Sequence, residues 1–572
     1  MIAKWKLFNF KSVKKETELD FGPLTIFAGP NSGGKSTWIQ SILLISQTLS
    51  HRISSRSVVL NGALTRLGQF DDLKSYGSEA EQIVVGFECV ASGESGRSDS
   101  PLARRASLES WWAFSHPRRL EVVRCELSFD TDPSSPQRDF YQLQPRLFGL
   151  QLGATSRSEK DTEPAEQTAL MTISRASGLL ESRSKLEGLP EEEKAGALAQ
   201  AALTLDVTLD SASGAELQRF LSATPVGCSL RHFLPSQLVV RVRPQKGEPL
   251  LRWVIHALSP RETGEPNSGE PREKARPDES PDTGKEKLTT VPLPGLLHSG
   301  ASYLEGFFTR SVKYLGPLRD EPKALYPLAA GIDPSDVGLR GEYTAAVLNL
   351  HKDRQVRYVP SVAFAKPKVE PSTLLRSLEA AVIDWLQYLD VAQSVLTVDK
   401  GKLGHELKVV SSGLPQPQDL THVGVGVSQV LPILVMSLLA EPDTTLIFEQ
   451  PELHLHPKVQ TLLGDFFLSM SLLGKQCIIE THSEYLVNRL RFRAASAPRE
   501  APLASKIKLY FVQKEGDCST FREVVVNEFG AIPDWPEGFF DQSQAEAEQI
   551  LRAATLKRQR LKEKPRDAEH ND

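Results

Sequence analysis

Apolar positions along the chain follow two different periods. Near the start, Trp5, Leu7, Phe8 and Phe10 stand apolar among Lys and Asn, the alternation expected of strands with one buried face. A continuous apolar run from Leu24 to Ala28 ends at a glycine. Residues 36–49 then carry Trp38, Ile39, Ile42, Leu43 and Ile45 at helical spacing with no Gly or Pro inside. The order there is strand, loop, helix. From 61 to 130 the pattern predicts short strands broken by polar loops, 82–90 and 122–129 most clearly, with 92–100 a loop. Ala, Leu, Glu and Lys dominate 159–206, so 195–205 reads as a helix, and strand-like 237–242 and 252–257 follow. Residues 259–290 are almost wholly Pro, Glu, Gly, Arg, Lys, Ser and Asp, too few apolar side chains to offset their ordering entropy, and are expected to form a mobile loop. A helical stretch at 374–396 and a strand at 406–410 lead into an apolar block at 429–448, then 458–472, 476–480 and 507–512, alternating strands and helices. The pattern is that of an α/β protein with a mixed sheet. It contains no heptad repeat long enough for a coiled-coil arm and no internal repeat of fixed period.

Composition narrows the class. The chain has 572 residues, 67 Lys plus Arg against 72 Asp plus Glu, a net charge of −5 and 40% hydrophobic residues, which suits a large core and excludes a disordered or fibrous protein. Length alone would allow three or four domains, but one large α/β domain carrying insertions fits the same arithmetic, and fewer domains than the ratio are expected. The slight acidity removes whole-molecule attraction to nucleic-acid phosphates and leaves only a local basic face as an argument for it. Cys89, Cys125, Cys228, Cys477 and Cys518 form no CxxC pair, so a disulfide scaffold or zinc ribbon is not expected and a reducing cytosol fits. The opening residues lack the apolar core of a signal peptide, and no run of about 18 apolar residues could span a bilayer. A cytoplasmic protein with no membrane partner is expected.

The strongest chemical signal is Gly29, Pro30, Asn31, Ser32, Gly33, Gly34, Lys35 and Ser36, which fits GxxxxGK[ST] between the strand and the helix that a phosphate loop requires. Gly29, Gly33 and Gly34 let successive backbone N–H groups and the helix N-terminus face phosphates. Lys35 would reach the β and γ phosphates of ATP, and the Ser36 hydroxyl would coordinate Mg²⁺. The bland alternative is a glycine-rich turn that caps a helix and binds nothing. A second signal is the strand ending in Glu449, Gln450, Pro451 and Glu452: a nucleotide site needs a carboxylate there to hold the metal shell, and usually a second as general base. Here the pair reads Glu then Gln. Thr481, His482 and Ser483 end the next apolar strand, where a histidine can contact a γ-phosphate. Third, Gly424, Gly426 and Ser428 precede an apolar helix, either a phosphate-facing N-terminus or an N-capped core helix. His454 and His456 alternate like metal ligands but lack a third. Arg489, Arg491 and Arg493 read as a solvated helix end before a DNA patch, and 557–566 as a charged tail.

This order of motifs resembles the ABC-type ATPase head shared by the SMC, RecF and OLD families. The chain is most similar to AAA ATPases related to OLD and found in bacterial defence systems, a subgroup whose Walker B phrase reads EQPELHLHP and whose tail carries a small domain of unknown function. Residues 448–457, 479–490, 530–540 and the phrase from Tyr314 to Arg319 carry that likeness, which covers about the first 75 residues and the stretch after Tyr314. The resemblance implies an organisation of 1–130 as the first half of the head, 131–313 as an inserted α/β lobe, 314–515 as the second half with a helical segment, and 516–572 as a small C-terminal domain and tail. It implies that residues 29–37, including Asn31, Ser32 and Thr37, form the Walker A loop, and that Gln69 is the Q-loop residue on the metal. By the same likeness Gly426 and Ser428 belong to the signature motif, Glu449 is the Walker B acid and His482 the switch histidine. Gln450 occupies the place of the family's glutamate base, with Glu452 or His482 as substitutes, so hydrolysis is expected to be slow.

Two departures shape the functional expectation. The insertion is too rich in Gly, Pro and short strands for the coiled coil of the SMC type. About 90 residues follow His482, without the metal-binding acids of the Toprim nuclease that full-length OLD proteins carry. The implied protein is an ATP–Mg²⁺ switch or sensor acting as a homodimer or higher oligomer, set in anti-phage defence, with a separate effector protein, nuclease or toxin. The alternatives are a RecF-like repair ATPase that itself binds DNA or RNA, and a scaffold that holds ATP without turnover.

Overall fold

The structure, a computed structural model, describes residues 1–53, 57–91, 119–131, 145–157, 166–175, 205–221, 223–242, 287–328, 334–370, 372–411, 413, 416–540 and 542–563. The loop expected at 92–100, the helix at 195–204, the strand at 252–257 and the loop at 259–286 lie outside these residues.

From the N-terminus run strands β1 (Ile2–Phe8), β2 (Thr17–Asp20) and β3 (Leu24–Ala28), helices α1 (Lys35–Ser50) and α2 (Phe70–Leu73), and strand β4 (Ile83–Val90). Next come β5 (Arg119–Asp130), β6 (Arg146–Arg157), β7 (Glu166–Arg175), β8 (Leu205–Leu209), α3 (Ser211–Leu221), β9 (Ala223–Arg231), β10 (Leu234–Val242), β11 (Lys287–Pro292) and α4 (Gly295–Gly306). The middle of the chain adds β12 (Val312–Leu315), α5 (Thr344–His351), β13 (Gln355–Tyr358), β14 (Leu374–Ser377), α6 (Leu378–Tyr388), β15 (Ser394–Asp399), β16 (His405–Val410) and β17 (Gln418–Asp419). Last are α7 (Gly426–Leu439), β18 (Thr445–Glu449), α8 (Pro457–Leu472), β19 (Gln476–Thr481), α9 (Glu484–Ser496), β20 (Ile507–Glu515), β21 (Cys518–Glu523) and α10 (Gln542–Glu563).

These elements form two compact units. The first comprises Met1–Phe21, Thr37–Lys313 and Asp443–Thr445. Its main sheet has seven strands in the order β2-β1-β4-β5-β6-β7-β8, each antiparallel to its neighbours. The strands on either side of residue 130, divided above between head and inserted lobe, share this sheet. Trp5 on β1 stacks on Phe87 of β4 at 5.0 Å between ring centroids, with Phe308 edge-on to both, so the alternation near the N-terminus is a buried aromatic face. A three-stranded sheet, β11-β10-β9, is the unit's second sheet among the described residues. Residues 287–290, the end of the stretch read as a mobile loop, correct that reading: they are paired with β10, Thr290 opposite Val239, because Leu288 and Val291 supply apolar side chains that the preceding residues lack.

The second unit comprises Gly22–Ser36, Tyr314–Pro442 and Leu446–Asp572. Its six-stranded sheet runs β12-β18-β19-β3-β20-β21. β3 is parallel to both neighbours, with Ile26 opposite Ile479 on one side and Leu509 on the other, while β20 and β21 form an antiparallel hairpin. The sheet is mixed. All five residues of β3 and all six of β19 are buried, as a continuous apolar run in a strand covered on both faces requires. Helix α8 packs on β3 and β19, and its Phe466 meets the buried Trp385 of α6 edge-on at 5.0 Å.

Three local readings are corrected here. The stretch 374–396 is not one helix but β14, α6 and the start of β15. Ser377 caps α6 by accepting from the Ala380 N–H, and Asp390, at φ 57°, turns the chain out of it. Residues 557–563 of the charged tail continue helix α10, and 564–572 lie outside the described residues. The arginines on α9 are not a solvated helix end. Asp465, fully buried on α8, accepts from Arg489 Nη2 and Arg493 Nε at 2.7 Å each, and from the Tyr388 hydroxyl at 2.7 Å. Arg493, 1% exposed, also donates to the carbonyls of Phe364, Lys366 and Pro367, and Arg491 donates to Gly530 O while lying over the Trp535 ring. Sequence spacing could not reveal this, because the counter-charge comes from another helix.

Removing one partner of a buried ion cluster strands the remaining charges, at a cost of about 3–5 kcal/mol. Asp465→Leu is therefore expected to lower unfolding free energy by that order in urea denaturation; a change below about 1 kcal/mol would show the two guanidiniums to be satisfied without it.

Candidate nucleotide-binding site

The phosphate loop leaves the C-terminal end of β3 and closes at the first residue of α1. Its shape is set by contact with β20. At Gly29, φ is 149° and an added Cβ would lie 2.1 Å from the Val512 carbonyl oxygen; at Gly33 it would lie 2.9 Å from the same oxygen. No side chain fits at Gly29, so the glycine is a packing necessity as well as a conformational one. Ser32 and Gly34 also take left-handed backbone, at φ 61° and 99°. Ser519 on β21 braces the loop by donating to Gly33 O at 2.6 Å. Asn31 and Ser32 are exposed, whereas Lys35 is 3% exposed and its ammonium donates to the carbonyls of Pro30 at 2.7 Å and Gly29 at 3.2 Å.

The acids come from the two adjacent strands. Ser36 Oγ donates to Glu480 Oε2 at 2.8 Å, and the Glu480 carbonyl accepts from the Gln450 N–H at 2.8 Å. Glu449, the last residue of β18, accepts from the Tyr314 hydroxyl at 3.0 Å. Gln450 stands at φ 44° and opens the turn whose Leu453 N–H returns to its carbonyl. A side chain held in left-handed backbone at a strand end is the kind of local strain found at functional turns. Glu452, 7% exposed, accepts from the His482 N–H at 2.5 Å through Oε1, while neither its Oε2 nor His482 Nε2 has a hydrogen-bond partner among the described residues.

Charge and burial oppose each other here. Burial pushes the Glu449 carboxyl up to about 7, with Glu480 adding to the rise and Tyr314 and Arg319 opposing it. Glu452 and Glu480 are also raised, chiefly by burial. Burial pulls Lys35 down, and Glu480 and Glu452 draw it back. His482 is lowered by burial and then by the Lys35 charge, which favours the neutral ring at neutral pH. A divalent cation suits this donor set. Glu449 and the Ser36 hydroxyl, whose lone pairs stay free while it donates to Glu480, would hold Mg²⁺, and the ion would supply charge neutralisation of the phosphates.

The structure thus brings Gly29, Gly33, Gly34, Lys35, Ser36, Glu449, Gln450, Glu452 and His482 into the second unit, around the ends of β3, β18 and β19. Thr37 and Gln69 belong to the first unit. Thr37 Oγ1 is paired with Ser12 Oγ at 2.9 Å, and Gln69 starts α2, its N–H donating to Asp72 Oδ2 at 2.7 Å. Ser428 does not cap α7: the N-cap is Val425, and Ser428 sits one turn in, its Oγ donating back to Val425 O at 2.7 Å. His456 caps α8 by accepting from the Lys458 N–H. Sequence reasoning missed three residues. Glu480 was passed over as the end of a strand: its place immediately before Thr481 and His482 is a local hint, but its position beside β3 is tertiary. Tyr314 and Arg319 were noticed only as a family phrase; their nearness to Glu449 is tertiary.

Residues 393–487 match the family described as AAA ATPase domain, and residues 504–550 match a protein of unknown function (DUF3696). No curated protein matches the chain. Similar solved structures include an SMC head bound to the C-winged helix domain of ScpA, 11% identical over 92% of this chain and 98% of that one, with a TM-score of 0.36. Another is the SMC head domain from Thermotoga maritima, 9% identical over 91% and 98%, with a TM-score of 0.33. A third is the Smc head domain with an extended coiled coil bound to the C-terminal domain of ScpA derived from Pyrococcus furiosus, 11% identical over 96% and 99%, with a TM-score of 0.35.

A carboxyl that titrates near 7 when folded and near 4.5 when unfolded binds its proton more tightly in the folded state, so its contribution to stability is lost as pH rises through that window. Glu449→Gln removes the penalty. Without nucleotide, its melting temperature is expected to exceed that of the wild type by on the order of 2 °C at pH 8, with the difference vanishing near pH 4.5; a gain equal at both pH values would contradict this.

Proposed function

We propose that this chain is an ATP-binding, ABC-type ATPase working as a nucleotide-dependent switch or sensor. The observation that carries the reading is the convergence of Lys35, Ser36, Glu449 and Glu480 at a glycine loop that opens a helix, with residues 393–487 similar to an AAA ATPase domain. ATP binds with Mg²⁺ on Ser36 and Glu449. Hydrolysis is slow, because Gln450 holds the place of the general base and an amide can orient water but cannot take its proton. Glu452 and His482, each with one buried polar atom free of partners among the described residues, are the groups that sustain any residual turnover.

The active unit contains two copies. The chain has one phosphate loop and one Gly424-Gly426-Ser428 helix start, and in the ABC-type families these elements meet only across a head-to-head interface with ATP between them. A long-lived ATP dimer then acts on a separate effector, a nuclease or toxin, in an anti-phage defence complex. Gln450 also favours a second reading, a scaffold that holds ATP without any turnover.

Steady-state turnover of the wild type, Gln450→Glu and Lys35→Ala, with light scattering in ATP, tests both. Slow wild-type turnover, a gain toward the ~10²–10⁴-fold worth of a general base in Gln450→Glu, and an ATP-dependent dimer lost in Lys35→Ala are expected. Brisk wild-type turnover with no gain would refute the role of Gln450. A monomer in saturating ATP would refute the dimer.

A further inference from the structure

Arg319 lies on the segment that follows β12, and the proposed chemistry leaves it unused. It is 6% exposed. None of its guanidinium nitrogens, Nε, Nη1 or Nη2, has a hydrogen-bond partner among the described residues. The segment is nonetheless held in place on both sides of it, by Gly316 N–H to Leu339 O at 2.9 Å and Asp320 N–H to Arg340 O at 2.8 Å. Its electrostatic neighbours are Tyr314, Glu452 and Glu449, the acids of the nucleotide site. Glu449 Oε1 accepts from Tyr314 and Glu452 Oε1 from the His482 N–H, and neither carboxylate hydrogen-bonds the guanidinium.

An arginine taken out of water without hydrogen bonds is costly to hold, and such a residue is kept where a planar fork of donors meets an anion that accepts two bonds at once. The anion this site is built to take is a phosphoryl group. We infer that Arg319 contacts the terminal phosphoryl group of the bound nucleotide, supplying hydrogen bonds that ATP accepts and ADP cannot. Its charge, set beside Glu449 and Glu452, offsets the repulsion those carboxylates exert on an arriving phosphate. His482 Nε2, likewise without a partner among the described residues, is tied to the same cluster through Glu452, so two groups remain that can donate to the γ-phosphate end of the nucleotide.

The inference rests on the nucleotide reading above and is tested apart from it, by calorimetric titration of ATP and of ADP, each with Mg²⁺, into the wild type, Arg319→Gln, Arg319→Lys and Lys35→Ala. Charge-assisted bonds of this kind carry about 10- to 100-fold in affinity. Arg319→Gln is expected to lose that factor for ATP and leave ADP within about twofold, so the ATP preference collapses; Arg319→Lys, which keeps the charge but not the fork, is expected to lose less. Equal losses for ATP and ADP would make Arg319 a structural counter-ion, and no loss would remove it from the site; either overturns the inference. If Arg319→Gln does not fold, the ATP to ADP ratio in Arg319→Lys decides alone. Failure of the wild type to bind either nucleotide would instead refute the nucleotide reading itself.

Discussion

Everything at the candidate site depends on one backbone contact, the approach of the phosphate loop to the Val512 carbonyl on β20. A Cβ at Gly29 would lie 2.1 Å from that oxygen, so the loop can take this path only with bare backbone. The contact exists because β3 is the parallel strand between β19 and β20. With Ala28 opposite Thr481 on one side and Phe511 on the other, the end of β3 delivers the loop between two walls. One wall carries Glu480 and His482. The other carries Val512 and leads into the hairpin whose Ser519 holds Gly33. The residues matching the family of unknown function therefore include part of what shapes the loop.

A second constraint is electrostatic. Glu449, Glu452 and Glu480 are gathered with Lys35 and Arg319, three acids against two cations, in a region where burial raises every one of the acids. Desolvation wins over the local pairs, since Glu449 moves to about 7 despite its bond to Tyr314 and the charge of Arg319. Such an arrangement is poor for stability. It becomes reasonable if a divalent cation and a polyphosphate complete it, bringing the charges and acceptors that the protein groups lack. The buried cluster around Asp465 shows the contrast: there both carboxylate oxygens and both guanidiniums are bonded within the protein.

How much of this was legible in the sequence follows from how local each feature is. The phosphate loop, β3 and the start of α1 are contiguous, and their glycines, lysine and apolar run identify them without tertiary knowledge. Glu449 and His482 were readable because each ends an apolar strand. Glu480 was not, since its role depends on β19 lying beside β3. Arg319 was out of reach for the same reason: burial without partners has no signature in a single phrase. The apolar spacing at 374–396 fits a helix, but the Ser377 cap and the left-handed Asp390 cut it at both ends, and only the middle is helical. The α9 arginines were misread because charge along one helix says nothing of an aspartate on another.

The proposed function requires the loop, the end of β18 and the end of β19 to form one metal-nucleotide site. Its most direct test is an anomalous-difference map from crystals grown with a non-hydrolysable ATP analogue and Mn²⁺. A manganese peak coordinated by Ser36 Oγ and the Glu449 carboxylate is expected, with the phosphates along residues 29–36 and the Lys35 ammonium turned from the Pro30 carbonyl onto them. Manganese held by other residues, or a loop without nucleotide at saturating concentration, would contradict it.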